Sequence, residues 1–226
     1  MSVTAAPDAV RSIAAQIEAT LPAIEARITR ELAAPDPDTV FQRTYSGGRY
    51  FARAPRMCDV DLLDIAHHLS MQTRFAGATR VYYSVAEHSV HLSRIVPAAY
   101  ALHALLHDGP EFCLTDLPRP VKLDNPAYAR LEALNAEVVL GRFALPAEMP
   151  APVARLDHAM NLAEDRALFR APICTREVIP AEITQIPEIA IQGWDWRTAR
   201  DAFLARFEEI TGLSPADFRG RSERVV

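Results

Sequence analysis

The chain has 226 residues and a net charge of −5, and 50% of its residues are hydrophobic. This length suits one sizeable core, and the acidic balance gives no general reason to bind a nucleic acid polymer or an anionic membrane. No segment has the roughly 18 apolar residues of a membrane span, the N-terminus lacks signal-peptide features, and the three cysteines lack CxxC spacing. We therefore expect a cytoplasmic protein with reduced thiols and no membrane partner.

The first elements in the chain are predicted to be helical. Apolar residues recur every three or four positions over the first 34 residues, which predicts an amphipathic helical region. Pro22 is expected to split this region into two helices, with Thr20 capping the second. A linker, "APDPD", follows at 34–38, and the Gly-Gly pair of "RTYSGGRYF" (43–51) indicates a turn beside a short extended piece.

The rest of the chain also has helical patterning. Ser84 and Glu87 have the spacing of a capping box, and the helix that starts at Pro97 is expected to end at Gly109. There is no internal repeat and no series of alternating strands, so we expect an all-α fold of six to eight helices. Other helices are predicted at 61–72, from Asn125 to about Arg142, at about 150–170 and at 196–213, with an irregular stretch at 172–193.

The histidines are unevenly distributed. Six of the seven fall between residues 67 and 107, which favours a metal site, although each one taken singly is better explained by packing or capping. The adjacent pair His107–Asp108 in "HALLHD" strengthens the metal interpretation. An ionised aspartate at the end of an apolar run is costly to bury without a cationic partner, and a divalent cation would be such a partner.

Three segments in order resemble the HD-domain phosphohydrolase superfamily, and most closely its branch of bacterial 5′-deoxynucleotidases. They are "SVAEHSV", "ALLHDGPEFCLTDLPRPVK" and "LDHAMNLAEDRALF". The resemblance covers roughly residues 43–213 and implies an HD-type helical bundle. It suggests an N-terminal helical extension at 1–42, a phosphohydrolase domain at 43–215 and a polar tail at 216–226.

The resemblance also implies one bound divalent metal ion. Two imidazoles and two carboxylates would form a nitrogen–oxygen shell of charge −2, which suits a divalent first-row metal. Its identity stays open among Mn, Co, Fe, Mg, Ni and Zn. Four protein ligands in a six-coordinate shell would leave two positions for water and a substrate oxygen. The implied ligands are His88, His107, Asp108 and Asp157.

Glu111 and Asp116 acquire expected roles from the same resemblance, and Lys122 and Glu164 acquire theirs from charge and spacing. Glu111 is expected to orient the attacking water and relay its proton, its alternative role being a favourable charge at a helix N-terminus. Asp116 is expected to orient water or the sugar, or else to cap the turn before a proline. Lys122 either neutralises phosphate or is a solvated surface charge. Glu164 either binds a ligating histidine or forms a salt bridge.

Substrate contacts are expected at Arg74 and Phe75, which resemble the nucleotide-binding pair of the nucleotidase branch. An arginine binds phosphate bidentately, and the aromatic ring can face a base or sugar. The expected partner is therefore a small phosphorylated substrate, foremost a 5′-(deoxy)nucleoside monophosphate hydrolysed by metal-activated water. The amphipathic N-terminal helices need an apolar surface to pack against. A second copy of the chain in a homodimer would supply such a surface, and so would the core of the same chain.

Three alternatives stay open. The first is hydrolysis of a nucleoside triphosphate or another pyrophosphate by the same fold. The second is a di-iron HD-type oxygenase, but such sites usually need additional histidines after the dyad, and none occurs between Asp108 and Asp157. The third is a non-catalytic module that binds nucleotide or protein, which has no reason to retain all four ligands.

Overall fold

The computed structural model describes residues 7–37, 40–171 and 187–220. Within these residues the chain forms eight α-helices, one two-stranded antiparallel sheet and several single-turn 3-10 segments, which confirms the expected all-α bundle. None of the described helices combines the length and apolar character needed to cross a membrane. The elements are α1 (Pro7–Ala33), β1 (Gln42–Arg43), β2 (Arg49–Tyr50), α2 (Leu62–Met71), α3 (Val85–Ile95), α4 (Ala101–Leu106), α5 (Arg119–Leu123), α6 (Pro126–Gly141), α7 (Ala151–Leu168) and α8 (Trp196–Thr211).

Helix α1 differs from the prediction. It runs unbroken through Pro22, so the expected split and the cap at Thr20 are wrong. The Thr20 hydroxyl instead donates to the carbonyl of Gln16 at 2.8 Å, within the same helix. An interior proline costs a helix about 3 kcal/mol, and burial of a large aliphatic side chain returns about 1.5–3 kcal/mol, so four such residues outweigh it. The buried residues on this face are Ile13, Ile17, Ile24 and Ile28.

Residues near both ends of the described part of the chain contribute to the same helical core. Helix α1 packs against α8, and the 3-10 turn Pro215–Phe218 places the Phe218 ring against Phe143 and Phe207. Arg219 Nε then donates to Asp61 Oδ2 at 2.7 Å. The proposed extension and tail therefore both contact the bundle. Residues 172–186 of the irregular stretch and 221–226 of the tail lie outside the described residues.

The Gly-Gly turn joins the two short strands, as predicted. Gly47 takes a φ of +89°, a left-handed conformation that glycine adopts without a steric penalty. At the end of β2 the hydroxyl of Tyr50 donates to Asn135 Oδ1 at 2.6 Å, and both residues are fully buried. The Asn135 amide also donates to the carbonyls of Ala52 and Leu131. This contact fixes the hairpin to α6.

Helix α3 lies in the middle of the bundle and packs against α2, α4, α7 and α8. Its predicted cap is confirmed, because Ser84 Oγ accepts from the backbone N–H of Glu87 at 3.1 Å. The Glu87 carboxylate does not complete the capping box. It accepts backbone N–H groups from Gln192, Gly193 and Trp194 at 2.7–3.1 Å, an arrangement called here the Glu87 latch. The segment before α8 is thereby tied to α3.

Candidate metal centre

Three helices bring the four expected metal ligands together. His88 lies in the first turns of α3, and Asp157 lies in the middle of α7. His107 caps the C-terminal end of α4, and Asp108 precedes the 3-10 turn Gly109–Phe112. The break after α4 therefore turns two adjacent side chains towards one centre.

The ligand atoms are close to one another. His107 Nε2 lies 3.1 Å from Asp108 Oδ1, and His88 Nε2 lies 3.1 Å from Asp157 Oδ1. His88 Nε2 is also 3.9 Å from Asp108 Oδ2. One potential ligand atom from each of His88, His107 and Asp108 lies within 4.8 Å of the other two. Asp157 joins this group through its contact with His88.

The residues fit a divalent cation. His88 Nε2 and Asp157 Oδ1 are both buried and lie 3.1 Å apart, but neither atom makes a well-aligned hydrogen bond. A buried polar atom without a partner costs about 1–3 kcal/mol. A cation bound directly between them would satisfy both atoms. Two nitrogen and two carboxylate ligands form a donor set that first-row divalent metals accept.

Each imidazole is oriented by a hydrogen bond at its other nitrogen. His107 Nδ1 lies 2.8 Å from the carbonyl oxygen of Ala104, one turn earlier in α4. His88 Nδ1 lies 2.6 Å from Glu164 Oε1. Both oxygens accept, so both Nδ1 atoms donate, and the Nε2 atoms face the aspartates. This is the arrangement in which histidines bind metals.

The pKa values of the two aspartates are both lowered. Burial alone would raise the pKa of Asp108, but His107 beside it outweighs burial and holds the pKa below its usual range. Burial likewise favours a higher pKa for Asp157, but the contact with His88 outweighs burial, so the pKa is lowered. Both carboxylates therefore carry their negative charge at neutral pH, when they would attract a cation.

The two imidazoles respond in the opposite direction. Burial and the nearby Arg74 guanidinium lower the pKa of His88, but the carboxylates around it, Glu164 among them, raise that pKa to about 9. Burial also lowers the pKa of His107, and Asp108 more than compensates, so the pKa is raised. The surroundings of both rings therefore stabilise positive charge at this centre.

A buried network of polar side chains adjoins the centre. Arg74 Nη2 donates to Asn161 Oδ1 at 2.5 Å and to Glu164 Oε2 at 3.1 Å, while its Nη1 lies 3.7 Å from Asp108 Oδ2. The Tyr83 hydroxyl donates to Glu164 Oε1 at 2.7 Å. Arg74 was expected to bind substrate, and its guanidinium is already paired with protein carboxylates. No pattern in the sequence marked Asn161 or Tyr83 as members of this network.

The turn that carries Arg74 has an unusual backbone. Phe75 and Ala76 both adopt left-handed conformations, with φ of 55° and 51°, and Gly77 follows at 78°. The left-handed conformation costs a residue with a side chain about 1–2 kcal/mol. The Phe75 ring packs edge-on against Phe169 at 5.2 Å, and the Arg74 guanidinium lies 5.2 Å from the ring centre. Arg74 and Phe75 therefore lie in a turn that follows α2 in the chain, and the Phe75 ring packs this turn against the end of α7.

Glu111 lines a cleft of about 180 Å³ next to the expected metal ligands. Burial, reinforced by the charges of Asp108 and Asp116, raises the pKa of Glu111 well above its usual value. The cleft is otherwise mostly apolar. Its lining residues are His107, Pro110, Glu111, Leu114, Glu132, Ala133 and Ala136.

Lys122 lies among carboxylates at the same end of the bundle. Its Nζ is 2.9 Å from Asp116 Oδ1 and 2.8 Å from Glu132 Oε1. Oxygen atoms of Glu111, Asp116 and Glu132 lie within 4.8 Å of one another. The Lys122 ammonium, expected either to neutralise phosphate or to be solvated, is thus shared by two carboxylates. Glu132 was not identified from the sequence, because it is one of several charged positions on a long surface helix.

His68 and His103, outside the expected ligand set, form hydrogen bonds with backbone groups. His68 Nδ1 donates to the carbonyl of Phe112 at 2.8 Å, and its Nε2 accepts the backbone N–H of Tyr45 at 3.1 Å. His103 Nε2 lies 3.1 Å from the carbonyl of Pro146. His103, one turn before the dyad, therefore contacts a loop and not the centre.

Comparison with known proteins gives two relatives and no matching family profile. The uncharacterized protein YfdR of Escherichia coli K12 is 38% identical over 128 residues, which is 57% of this chain and 72% of YfdR. The uncharacterized protein RCAP_rcc00048 of Rhodobacter capsulatus is 37% identical over 136 residues, which is 56% of this chain and 69% of that protein. The chain covers more than two thirds of both relatives. It therefore belongs to the same protein family as YfdR and RCAP_rcc00048.

Proposed function

We propose that this protein is a metal-dependent phosphohydrolase of the HD-domain type, acting as a phosphomonoesterase on 5′-(deoxy)nucleoside monophosphates. The observation that carries the proposal is the convergence of two imidazoles and two carboxylates from three helices. Within that group, buried His88 Nε2 and Asp157 Oδ1 lie 3.1 Å apart, but neither atom makes a well-aligned hydrogen bond. Buried polar atoms are normally paired, so an exception at such a cluster points to a ligand.

The cation would be held by His88, His107, Asp108 and Asp157. When bound, a divalent cation supplies two things here: it lowers the pKa of a water molecule and it polarises a phosphoryl oxygen. The protein's contribution is to fix the two Nε2 atoms towards the site and to keep both aspartates ionised.

Proton transfer is assigned to Glu111. Its carboxyl borders the same cleft as His107, so a substrate seated there would have both side chains beside it. The raised pKa of Glu111 favours a carboxyl group that can hold a proton and release it again. Acid–base catalysis of this kind typically contributes about 10²–10⁴-fold in rate.

The cleft suits a small substrate with an uncharged part. Pro110, Leu114 and two alanines provide apolar surface for a sugar or base, and Glu132 can accept hydrogen bonds from hydroxyl or amino groups. Arg74 keeps its Nη1 edge 3.7 Å from Asp108, where it adds positive charge beside the phosphate position. Lys122 is a weaker candidate for phosphate binding, because Asp116 and Glu132 already share its ammonium.

The deciding experiment is a turnover screen of metals against substrates on the purified full-length chain. Mn, Co, Mg, Fe and Ni are supplied separately with a panel of nucleoside mono-, di- and triphosphates, and elemental analysis counts the metal per chain. We expect one metal per chain and release of inorganic phosphate from monophosphates. Release of pyrophosphate or triphosphate would point to the triphosphate hydrolase, and two irons per chain would point to the oxygenase. Nucleotide binding without turnover under every metal would contradict the proposal.

A matched pair of variants tests the ligand set. Asp108→Ala should lose both the bound metal and phosphatase activity, because it removes a carboxylate that lies within reach of two imidazoles. The control is Asp201→Ala, which removes a largely exposed aspartate paired with Arg200 on α8 and should leave both properties unchanged. A metal-free Asp108→Ala variant that still hydrolyses substrate would refute the proposed chemistry.

A further inference from the structure

Glu164 is fully buried in α7, and the described contacts occupy both of its carboxylate oxygens. Oε1 accepts the Tyr83 hydroxyl at 2.7 Å and His88 Nδ1 at 2.6 Å. Oε2 accepts Arg74 Nη2 at 3.1 Å. The positively charged Arg74 guanidinium pairs with this side chain at 3.1 Å, which favours the ionised carboxylate. An ionised acceptor makes hydrogen bonds roughly twice as strong as a neutral one.

We propose that Glu164 is a positioning residue, which fixes the His88 imidazole with Nε2 towards the metal centre and holds Arg74 beside Asp108. This inference rests on the proposed metal site, and it concerns how this chain builds that site. The sequence alone left open whether Glu164 binds a histidine or forms a salt bridge. The contacts show that the same carboxylate does both.

Helix α7 contacts His88 at both ring nitrogens. Asp157 and Glu164 are seven residues apart, which is close to two helical turns, so they lie on nearly the same face of α7. Asp157 lies beside Nε2, and Glu164 accepts from Nδ1. One helix thus provides an expected metal ligand together with the residue that orients another ligand on α3.

His88 and His107 differ in how their orientation is secured. His107 Nδ1 donates to the carbonyl of Ala104, an acceptor that moves with its own helix. His88 depends on Glu164, which lies 76 residues away in the chain. Replacement of Glu164 should therefore disturb the orientation of His88 more than that of His107, because no other described hydrogen bond is made to His88 Nδ1.

The competing explanation is that Glu164 serves only to balance the charge of Arg74. Two variants separate the explanations. Glu164→Asp keeps the charge but shortens the side chain by one methylene, so it loses reach to His88 Nδ1. Glu164→Gln keeps the length and an acceptor oxygen for His88 but loses the charge. Positioning predicts that the aspartate variant is the more damaging to metal binding, and charge balance predicts the reverse order.

The experiment is calorimetric titration of Mn²⁺ into metal-free full-length protein, with unfolding in chelator as the check that each variant is folded. We expect Glu164→Asp to weaken metal affinity about 10- to 100-fold, the range found for partners of metal-ligating side chains, and Glu164→Gln to weaken it less. The control Tyr83→Phe removes the other donor to Oε1 and should stay within about threefold of the wild type.

The outcomes separate the inference from the proposed function. If Glu164→Gln binds Mn²⁺ more weakly than Glu164→Asp, or if Glu164→Asp matches the wild type, the positioning role is overturned. If the wild type binds Mn²⁺ and the variants bind it in the expected order of affinity, the inference holds. If that wild type nevertheless hydrolyses no phosphate ester, the phosphohydrolase proposal fails. A wild type that binds no divalent metal overturns both.

Discussion

Replacing Arg74 with methionine tests whether this side chain holds the site together or is free for substrate. The guanidinium side chain is only 15% exposed and lies 3.1 Å from the fully buried Glu164 carboxylate. Methionine retains much of the aliphatic volume but removes the charge and all the donors. Glu164 would then keep two donors, Tyr83 and His88, and would lose the guanidinium that contributes to lowering its pKa.

The expected loss is about 3 kcal/mol of unfolding free energy. Removing one partner of a buried ion pair costs about 3–5 kcal/mol, and the two remaining donors to Glu164 place this case at the lower end. In a chain of this length each kcal/mol shifts the melting temperature by about 2–4 °C, so Tm should fall by about 6–12 °C.

The assay is equilibrium urea unfolding in excess chelator, so that metal binding does not contribute. Arg197→Met is the matched control, because Arg197 is also an arginine over an aromatic ring, 4.2 Å from the Trp196 centroid, but it is exposed. That exposed contact is worth at most about 1 kcal/mol. If Arg74→Met loses no more than Arg197→Met, the ion-pair network is not stabilising and the reasoning is refuted.

Two predictions concern the fold away from the centre. Tyr50→Phe should lower the free energy of unfolding by about 1–3 kcal/mol, because Asn135 Oδ1 loses its buried donor. The control Tyr45→Phe, on a half-exposed ring, should leave that free energy unchanged. Equal urea unfolding curves for the two variants would contradict this prediction. Burial raises the pKa of Asp64 despite hydrogen bonds from Ser46. The folded state therefore binds the Asp64 proton more tightly than the unfolded chain does. The free energy of unfolding should fall as pH rises through the folded-state pKa. The stability of Asp64→Asn relative to the wild type should therefore improve from about pH 4 towards neutrality, and a pH-independent difference would argue against the shift.

The helices could be predicted because their signals are local. Ser84 caps α3, Asn125 caps α6, and both helices begin within a residue of the expected position. Pro22 misled the prediction for a physical reason. The cost of an interior proline is visible in the sequence, whereas the burial that compensates it depends on distant helices.

The candidate site was predictable only in part. The four expected ligands followed from ordered motifs, and the structure brings these four residues together. The partners of Arg74 did not follow, since Asn161 and Glu164 are 87 and 90 residues away and no local pattern links them. The ion pair between Lys122 and Glu132 could not be predicted from the sequence either. Long-range ion pairs depend on how helices pack, which residue spacing alone does not reveal.

The Glu87 latch has a consequence for how the family can diverge. A carboxylate that binds backbone N–H groups places little demand on the side chains at 192 and 194, so any residue except proline can keep these hydrogen bonds. Gly193 is different, because its φ is +66° and a Cβ atom there would lie 2.9 Å from the carbonyl oxygen of Tyr82. The hydrogen bonds that attach this segment to the helix that carries His88 thus depend on two residue identities, a glutamate and a glycine 106 positions apart.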